Sequence, residues 1–422
     1  MSRPGRAFVF SREYPPNTVG GTSTVARNLG VGLTALGWQV VVVSTVADPT
    51  RDVREEVDGV TVHRAATGVV YNEESGLGDQ SVRTHRRLFT AAEALAAELG
   101  PPDLVLLPDL FCHPEARMFA RRLDVPLVNI LLQDFRAITP YDRDAHHVTT
   151  GVSAEPRHLL HLEEKAVTDC DHTAFISQAL SDAITGYYPG SAAPHSVVHL
   201  GIDLAEIDAV RAEPVGRRLR AELLPGRPDT ALLVACGRLV PVKGFAELLR
   251  ALPDVHAPGA APHLALVGVG PEEAALRGLA GELGVADRVT FLGDVPRRAA
   301  LSWMSVADVA VVPSRWESFC YVCAELMAFA RPVVCTAVDS LRELVPDARF
   351  GWPVPVAGPS GARVVDPGAL AVALGAALAD PAEGARRGAA ARDRVERRFT
   401  NEHFAEGIAG IAGRLLERKS RA

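Results

Sequence analysis

Short, mostly apolar runs of four to six residues recur along this chain, and stretches of helical character separate them. Arg6–Phe10, Gln39–Val43, Leu104–Leu107 and Leu127–Leu131 form one series, and a further strand ends near Ala174–Ser177. Ala231–Cys236, Leu264–Val267, Val289–Leu292 and Val309–Val312 form a second. Runs apolar at every position, not at every other one, belong to strands covered on both faces. Strands of that kind alternating with helices such as Thr22–Leu36 predict parallel sheets wrapped by helices, an α/β fold. The 422 residues suit two such domains.

Tyr187–His195 carries Pro189, Gly190 and Pro194, so the spacing places the interdomain connection there. Residues 1–195 are then a first Rossmann-like domain and 196–392 a second, beginning at V-V-H-L-G-I-D. Val354–Asp366, rich in Gly and Pro, reads as loop. The tail from about Asp380 reads as helical, and its last part, 393–422, is expected to pack back toward the first domain through Phe399 and Phe404. Two doubly wound domains facing across a ligand cleft are the physical expectation.

Ligands of parallel sheets bind beyond the carboxyl ends of the strands, where helix N-termini direct partial positive charge. The stretch that follows Val309–Val312 fits that place. Pro313-Ser314 ends the strand, a loop presents Glu317, and Ser318-Phe319 are expected to open a helix that carries Glu325. Carboxylates for hydroxyls beside donors for a phosphate suit a hydroxyl-rich anion. After Ala231–Cys236 comes G-R-L-V-P-V-K-G, which sets Arg238 and Lys243 on one loop between Gly237 and Gly244. An Arg fork and a Lys point charge on one loop can straddle a pyrophosphate. Gly268 opens G-V-G-P-E-E, a tight turn that lets backbone approach a phosphate or base. Glu273 stands where a dinucleotide fingerprint needs its third glycine, which argues against an oxidoreductase. Gly20-Gly21, just before a helix, would let backbone approach an anion from the first domain.

The net charge of -7 argues against nucleic acid as a partner and against strong attraction to an anionic membrane. No apolar run reaches the length of a membrane span, and the N-terminal A-F-V-F is too short for a signal peptide, so a cytoplasmic protein is expected. Six cysteines include one lone C-x-x-C, Cys320 and Cys323, and are read as reduced core thiols without zinc. Asp142-Arg143-Asp144, with His146 and His147 nearby, has a metal-binding D-x-D spacing but reads as surface loop. No metal and no cofactor is expected.

Taken in order, Y-P-P-N-T-V-G-G, V-H-L-G-I-D, G-R-L-V-P-V-K-G, L-V-G-V-G-P, R-V-T-F-L-G-D-V-P, E-S-F, E-L-M-A and P-V-V resemble the retaining glycosyltransferases of family 4 (glycosyltransferase group 1). The resemblance covers nearly the whole chain. It implies the two-domain GT-B fold and a nucleoside-diphosphate sugar, UDP-sugar first, as co-substrate. It also implies roles. Arg238 and Lys243 match the pair that grips the diphosphate, and Glu325 the carboxylate that takes the ribose hydroxyls. Glu317 matches the carboxylate at the transferred sugar, with the N–H groups of Ser318 and Phe319 nearby. Gly21 matches the glycine that closes over the diphosphate, and Val295 lies in the region that contacts the base. Catalysis is assigned to Arg238, Lys243 and Glu317, with no protein nucleophile.

Three departures from the family pattern bear on specificity. Gln133-Asp134 stands where a His usually contacts the sugar. Cys320 replaces a common Gly after E-S-F. Asp339-Ser340 replaces the usual Gly-Gly after the next strand. Acceptor or sugar recognition is expected among Asp109, Gln133, Asp134, Arg136 and Tyr141. A soluble small-molecule or saccharide acceptor is favoured; the high Ala, Arg, Gly and Val content suggests a high-GC bacterial source, and such a source suggests natural-product glycosylation. The counter-argument is Arg83–Leu99, which could form a basic amphipathic helix on lipid and so serve a lipid acceptor. A non-catalytic nucleotide-sugar-binding partner is the other alternative.

Overall fold

A computed structural model describes residues 4–17, 21–68, 79–138, 156–190 and 193–421. The chain forms two compact units, one built on residues up to Gly201 together with Asn401–Ala422, the other on Ile202–Thr400.

The first unit holds β1 (Arg6–Phe10), β2 (Gln39–Val46), β3 (Val53–Val57), β4 (Val60–Ala66), β5 (Leu104–Leu107), β6 (Leu127–Leu131), β7 (His172–Phe175) and β8 (His195–Val197). Their order in the sheet is β3-β4-β2-β1-β5-β6-β7-β8. All pairings are parallel except that of β3 with β4. β5 and β6 are buried along their whole length, as fully apolar runs require. Phe119, from the helix His113–Leu123, stacks on Phe8 with ring centroids 5.5 Å apart and meets Phe10 at 5.6 Å.

The second unit holds β9 (Leu232–Cys236), β10 (His263–Val267), β11 (Val289–Gly293), β12 (Val309–Val312), β13 (Val333–Thr336) and β14 (Trp352–Val354), ordered β11-β10-β9-β12-β13-β14. Every pairing in this sheet is parallel. The order reverses between β9 and β12, so the loops leaving these two strands flank the crevice where an open α/β sheet binds ligand. In the first unit the reversal lies between β1 and β5.

Several boundaries differ from the sequence expectation. His195–Val197 is the last strand of the first sheet, paired with β7, so the unit ends at Gly201, not at 195. The helical tail is broken, not continuous: Pro381–Arg398 belongs to the second unit, Phe399 breaks the helix, and Asn401–Arg421 belongs to the first. Ile202 N–H donates to the Phe399 carbonyl at 2.8 Å, which fixes that break. In the first unit Asn401 Nδ2 donates to the Asn28 carbonyl at 3.0 Å, and Asn28 Nδ2 to the Gly201 carbonyl at 3.1 Å. Phe399 and Phe404 are both buried. Val354–Asp366 is not all loop, because Val356–Ala357 and Val364–Val365 pair as a short antiparallel ladder.

Arg83–Leu99 lies within the helix Asp79–Leu99. Its Arg83, Arg86 and Arg87 are exposed, and Arg87 pairs with Asp52 at 2.7 Å. No helix among the described residues is long and apolar enough to cross a membrane.

Candidate active site

The carboxyl ends of β9, β10, β12 and β13 gather the second unit's candidate residues. Beyond β9, Gly237 adopts φ +152°, and Pro241–Lys243 forms one turn of 3-10 helix that Gly244 closes at φ +68°. That region of backbone conformation admits glycine at little cost. A Cβ on Gly244 would also lie 2.0 Å from the Pro313 carbonyl oxygen. The β9 loop therefore rests directly on the β12 loop. Gly268, at φ +134° beyond β10, approaches the Gly237 carbonyl just as closely. Its backbone is spent on packing the two loops together. Arg238 is half-buried on the same β9 loop.

Beyond β12 the loop carries Glu317, which is 7% exposed. Its Oε1 accepts from Lys243 Nζ at 2.7 Å and from Ser314 Oγ at 2.7 Å. Both contacts fall on one oxygen, and the Cys320 thiol also bonds this carboxylate. Arg315 N–H donates to the Val242 carbonyl at 2.7 Å, a second tie between the two loops. Lys243 and Glu317, expected from sequence to act on one ligand, are thus brought together.

The helix carrying Glu325 begins at Tyr321, not at Ser318-Phe319 as the sequence suggested. Cys320 is the reason: it sits at the helix mouth with φ +76°, a left-handed conformation that cannot belong to the helix. Ser318 and Phe319 are therefore loop residues, and Phe319 is buried against Tyr321 and Phe399 with centroids at 5.6 and 6.1 Å. All six cysteines are free.

Glu325 is only 3% exposed. Burial pushes its carboxyl above the usual range, and the Arg297 guanidinium beside it opposes that shift. A nitrogen of Arg297 stands 2.9 Å from Glu325 Oε1, yet that oxygen accepts no well-aligned hydrogen bond. Arg297, which the sequence reading missed, opens the helix Arg297–Met304 and is shared with Glu206 at 2.8 Å. Val295 is half-buried two residues before it. Nothing in the spacing of Arg297 and Glu325 along the chain announces their contact.

Asp339, beyond β13, adopts φ +35° and makes a two-pronged ion pair with Arg363, one contact being 2.8 Å. Ser340 Oγ donates to the Glu317 carbonyl at 3.1 Å. Arg363 is a second residue that sequence reasoning did not single out.

In the first unit, Arg12 and Asp109 bridge the β1/β5 reversal. Asp109 is buried and accepts Arg12 Nε at 2.8 Å, Arg12 N–H at 3.0 Å and Phe111 N–H at 3.2 Å. It acts on its own loops. Asp134 is likewise turned inward, bonded by Ala137 N–H at 2.9 Å and Tyr187 Oη at 3.2 Å. Of the pair replacing the expected His, Gln133 is the one left half-buried, with Oε1 unpartnered. Glu163 accepts from Phe135 N–H at 2.9 Å and Tyr188 Oη at 3.0 Å, and burial pushes its carboxyl up to about 7. Arg136 lies over the Tyr187 and Tyr188 rings at 4.6 and 5.2 Å. Gly21 is exposed at the first position of the helix Gly21–Ala35. Gly20, Tyr141, Asp142, Asp144, His146 and His147 lie outside the described residues. No metal-holding group of His, Cys, Asp and Glu occurs among the described ones.

Two family models match. "Glycosyl transferase 4-like domain" spans residues 20–201. "Glycosyl transferases group 1" spans 230–380. Glycogen synthase of Mycobacterium tuberculosis is 28% identical over 96% of this chain and 94% of its own. D-inositol 3-phosphate glycosyltransferase of Xylanimonas cellulosilytica is 32% identical over 71% of this chain and 69% of its own. Among solved structures, sucrose-phosphate synthase from Thermosynechococcus elongatus superposes with a TM-score of 0.79 over 99% of this chain and 100% of that one, at 23% identity. HepE from Anabaena, solved with UDP-glucose, gives 0.70 over 96% and 99%, at 19% identity. The fold is GT-B.

Proposed function

The chain belongs to the group 1 glycosyltransferases, enzymes that draw on nucleotide-sugar donors, and from that membership we propose how this one works. It is a retaining, metal-independent transferase that moves a sugar from UDP-sugar to a soluble small-molecule or saccharide acceptor in the cytoplasm. The observation that carries this proposal is the joining of Lys243 and Glu317 at the β9/β12 reversal, with Glu325 buried nearby on the next helix.

Arg238 and Lys243 hold the diphosphate, and Glu325 takes the ribose hydroxyls. The Glu317 carboxylate accepts from a hydroxyl of the transferred sugar. Gly20 and Gly21 are assigned to the diphosphate and Val295 to the base. As the bond between the anomeric carbon and the phosphate oxygen breaks, its electron pair leaves with the diphosphate. Fixed cations stabilise the charge that develops there, at no reorganisation cost. The acceptor hydroxyl attacks the same face and passes its proton to the departing phosphate, so no protein nucleophile is used. Gln133 replaces Asp134 as the proposed sugar contact, because Asp134 is already engaged within its own loop.

UDP is favoured because HepE was solved with UDP-glucose. Starch synthase IV from Arabidopsis was solved with ADP, which makes ADP-sugar the competitor to include. A natural-product acceptor falls within the proposed class, and a lipid acceptor falls outside it. Transfer assays with UDP-, ADP-, GDP- and TDP-glucose, run with EDTA and a saccharide panel, test this proposal. Proton NMR of the product should show retained anomeric configuration. An inverted product, or activity only after metal is restored, would refute it.

A further inference from the structure

The loop that carries Glu317 is held from two sides. On one, Arg315 N–H bonds the Val242 carbonyl at 2.7 Å, and the Arg315 guanidinium pairs with Glu247. On the other stands Arg363, immediately before the short strand Val364–Val365. Its Nη1 donates to the Arg315 carbonyl at 3.2 Å, two residues from Glu317, while its fork grips Asp339. The next residue, Ser340, bonds the Glu317 carbonyl itself. The side chains of Arg363 and Asp339 are 16% and 15% exposed, so the pair is largely withdrawn from water.

Two-pronged Arg–carboxylate pairs fix geometry as well as charge, because the planar fork admits few orientations. Asp339 makes its half of the pair from φ +35°, a left-handed conformation that is strained in a residue with a Cβ. The ion pair offsets that strain. We propose that Arg363 is a positioning residue for Glu317, anchored by Asp339, and that the pair sets where the Glu317 carboxylate meets the transferred sugar. This inference rests on Glu317 being the donor-sugar carboxylate. It assigns a use to Asp339 at a position where the family pattern led us to expect glycine.

The test compares Asp339→Gly, Arg363→Gln, their double variant and Glu317→Gln. Asp339→Gly relieves the backbone while removing the anchor, so it should still fold, with a Tm lowered by the uncompensated Arg363 charge. Misplacing a contact group by about 1 Å can cost roughly 100-fold in rate. Each single variant should therefore lose about 10- to 100-fold in kcat, while UDP affinity, measured by calorimetry, stays within about 3-fold of wild type. The double variant should lose no more than the worse single, since both remove the same anchor. Wild-type kcat in Asp339→Gly, or losses that multiply in the double, would overturn the positioning role. Loss of UDP binding and of Tm together would also overturn it, by showing a merely structural pair. A wild-type rate in Glu317→Gln would overturn the underlying assignment of Glu317, and this inference with it.

Discussion

Lys243 Nζ donates to Glu317 Oε1 across 2.7 Å, joining loops that leave different strands of the second sheet. Removing the lysine leaves a nearly buried carboxylate with Ser314 as its remaining partner on that oxygen. It also removes a cation from the proposed diphosphate grip. Lys243→Ala should lower kcat by about 100- to 1,000-fold, the scale of losing one donor to transition-state charge. Lys243→Arg should not restore it, because a planar fork does not replace a point charge at this distance. Steady-state kinetics on the three proteins checks both statements.

Glu325 gives a prediction about the ribose. Hydrogen bonds to a charged group are worth about 1.5–3 kcal/mol each. Glu325→Ala should therefore weaken nucleotide binding by about 10- to 100-fold, and a 2′,3′-dideoxy nucleotide should bind both proteins equally. Because burial raises this carboxyl, acid should protonate it and remove an acceptor at a higher pH than an ordinary glutamate would require. Calorimetry across pH should show affinity falling on the acid side in wild type, with that component absent from the variant.

Cys320 caps its helix at φ +76°. Any side chain at such a position pays roughly 1–2 kcal/mol that glycine does not. Cys320→Gly should retain about 1 kcal/mol more stability than Cys320→Ala, although both lose the same thiol. Urea unfolding of the two variants checks the order.

Glu163 should impose a pH dependence on stability. Asp134, Arg136 and Tyr188 surround it, and burial raises its pKa from 4.5 to about 7. Between those values the folded chain holds a proton that the unfolded chain has released. Stability should therefore fall as pH rises through that window, by about 3 kcal/mol if the whole shift is expressed. Glu163→Gln should remove this component. Unfolding free energies of both proteins at pH 4.5 and pH 8 give the difference directly.

What the sequence made legible follows the physics of burial. β5 and β6 were bounded correctly because both faces of each are covered, which forces an unbroken apolar run. β3 was not picked out, because Val53–Val57 is a largely exposed edge strand whose Arg and Glu residues break any apolar run. β8 was divided between linker and second domain, because its three residues, next to Pro194, form the other edge. Lys243 and Glu317 could be named from their loops, since a strand's carboxyl end is visible as the end of an apolar run. Their direct bond could not. The same holds for Arg297 on Glu325 and Arg363 on Asp339, contacts set by the crossing of elements, not by any local pattern. Asp109 and Asp134 were named as acceptor or sugar contacts on first-domain loops, but hydrogen bonding turns both inward.

The second unit's loops are proposed to grip a nucleoside diphosphate through Arg238, Lys243 and Glu325. Titration calorimetry of UDP against wild type, Arg238→Ala and Glu325→Ala tests this grip most directly, with ADP, GDP and TDP in parallel. Wild type should show one binding site per chain, and each variant an affinity at least about 10-fold weaker. Undiminished binding in both variants, or no binding of any of the four nucleotides to wild type, would contradict it.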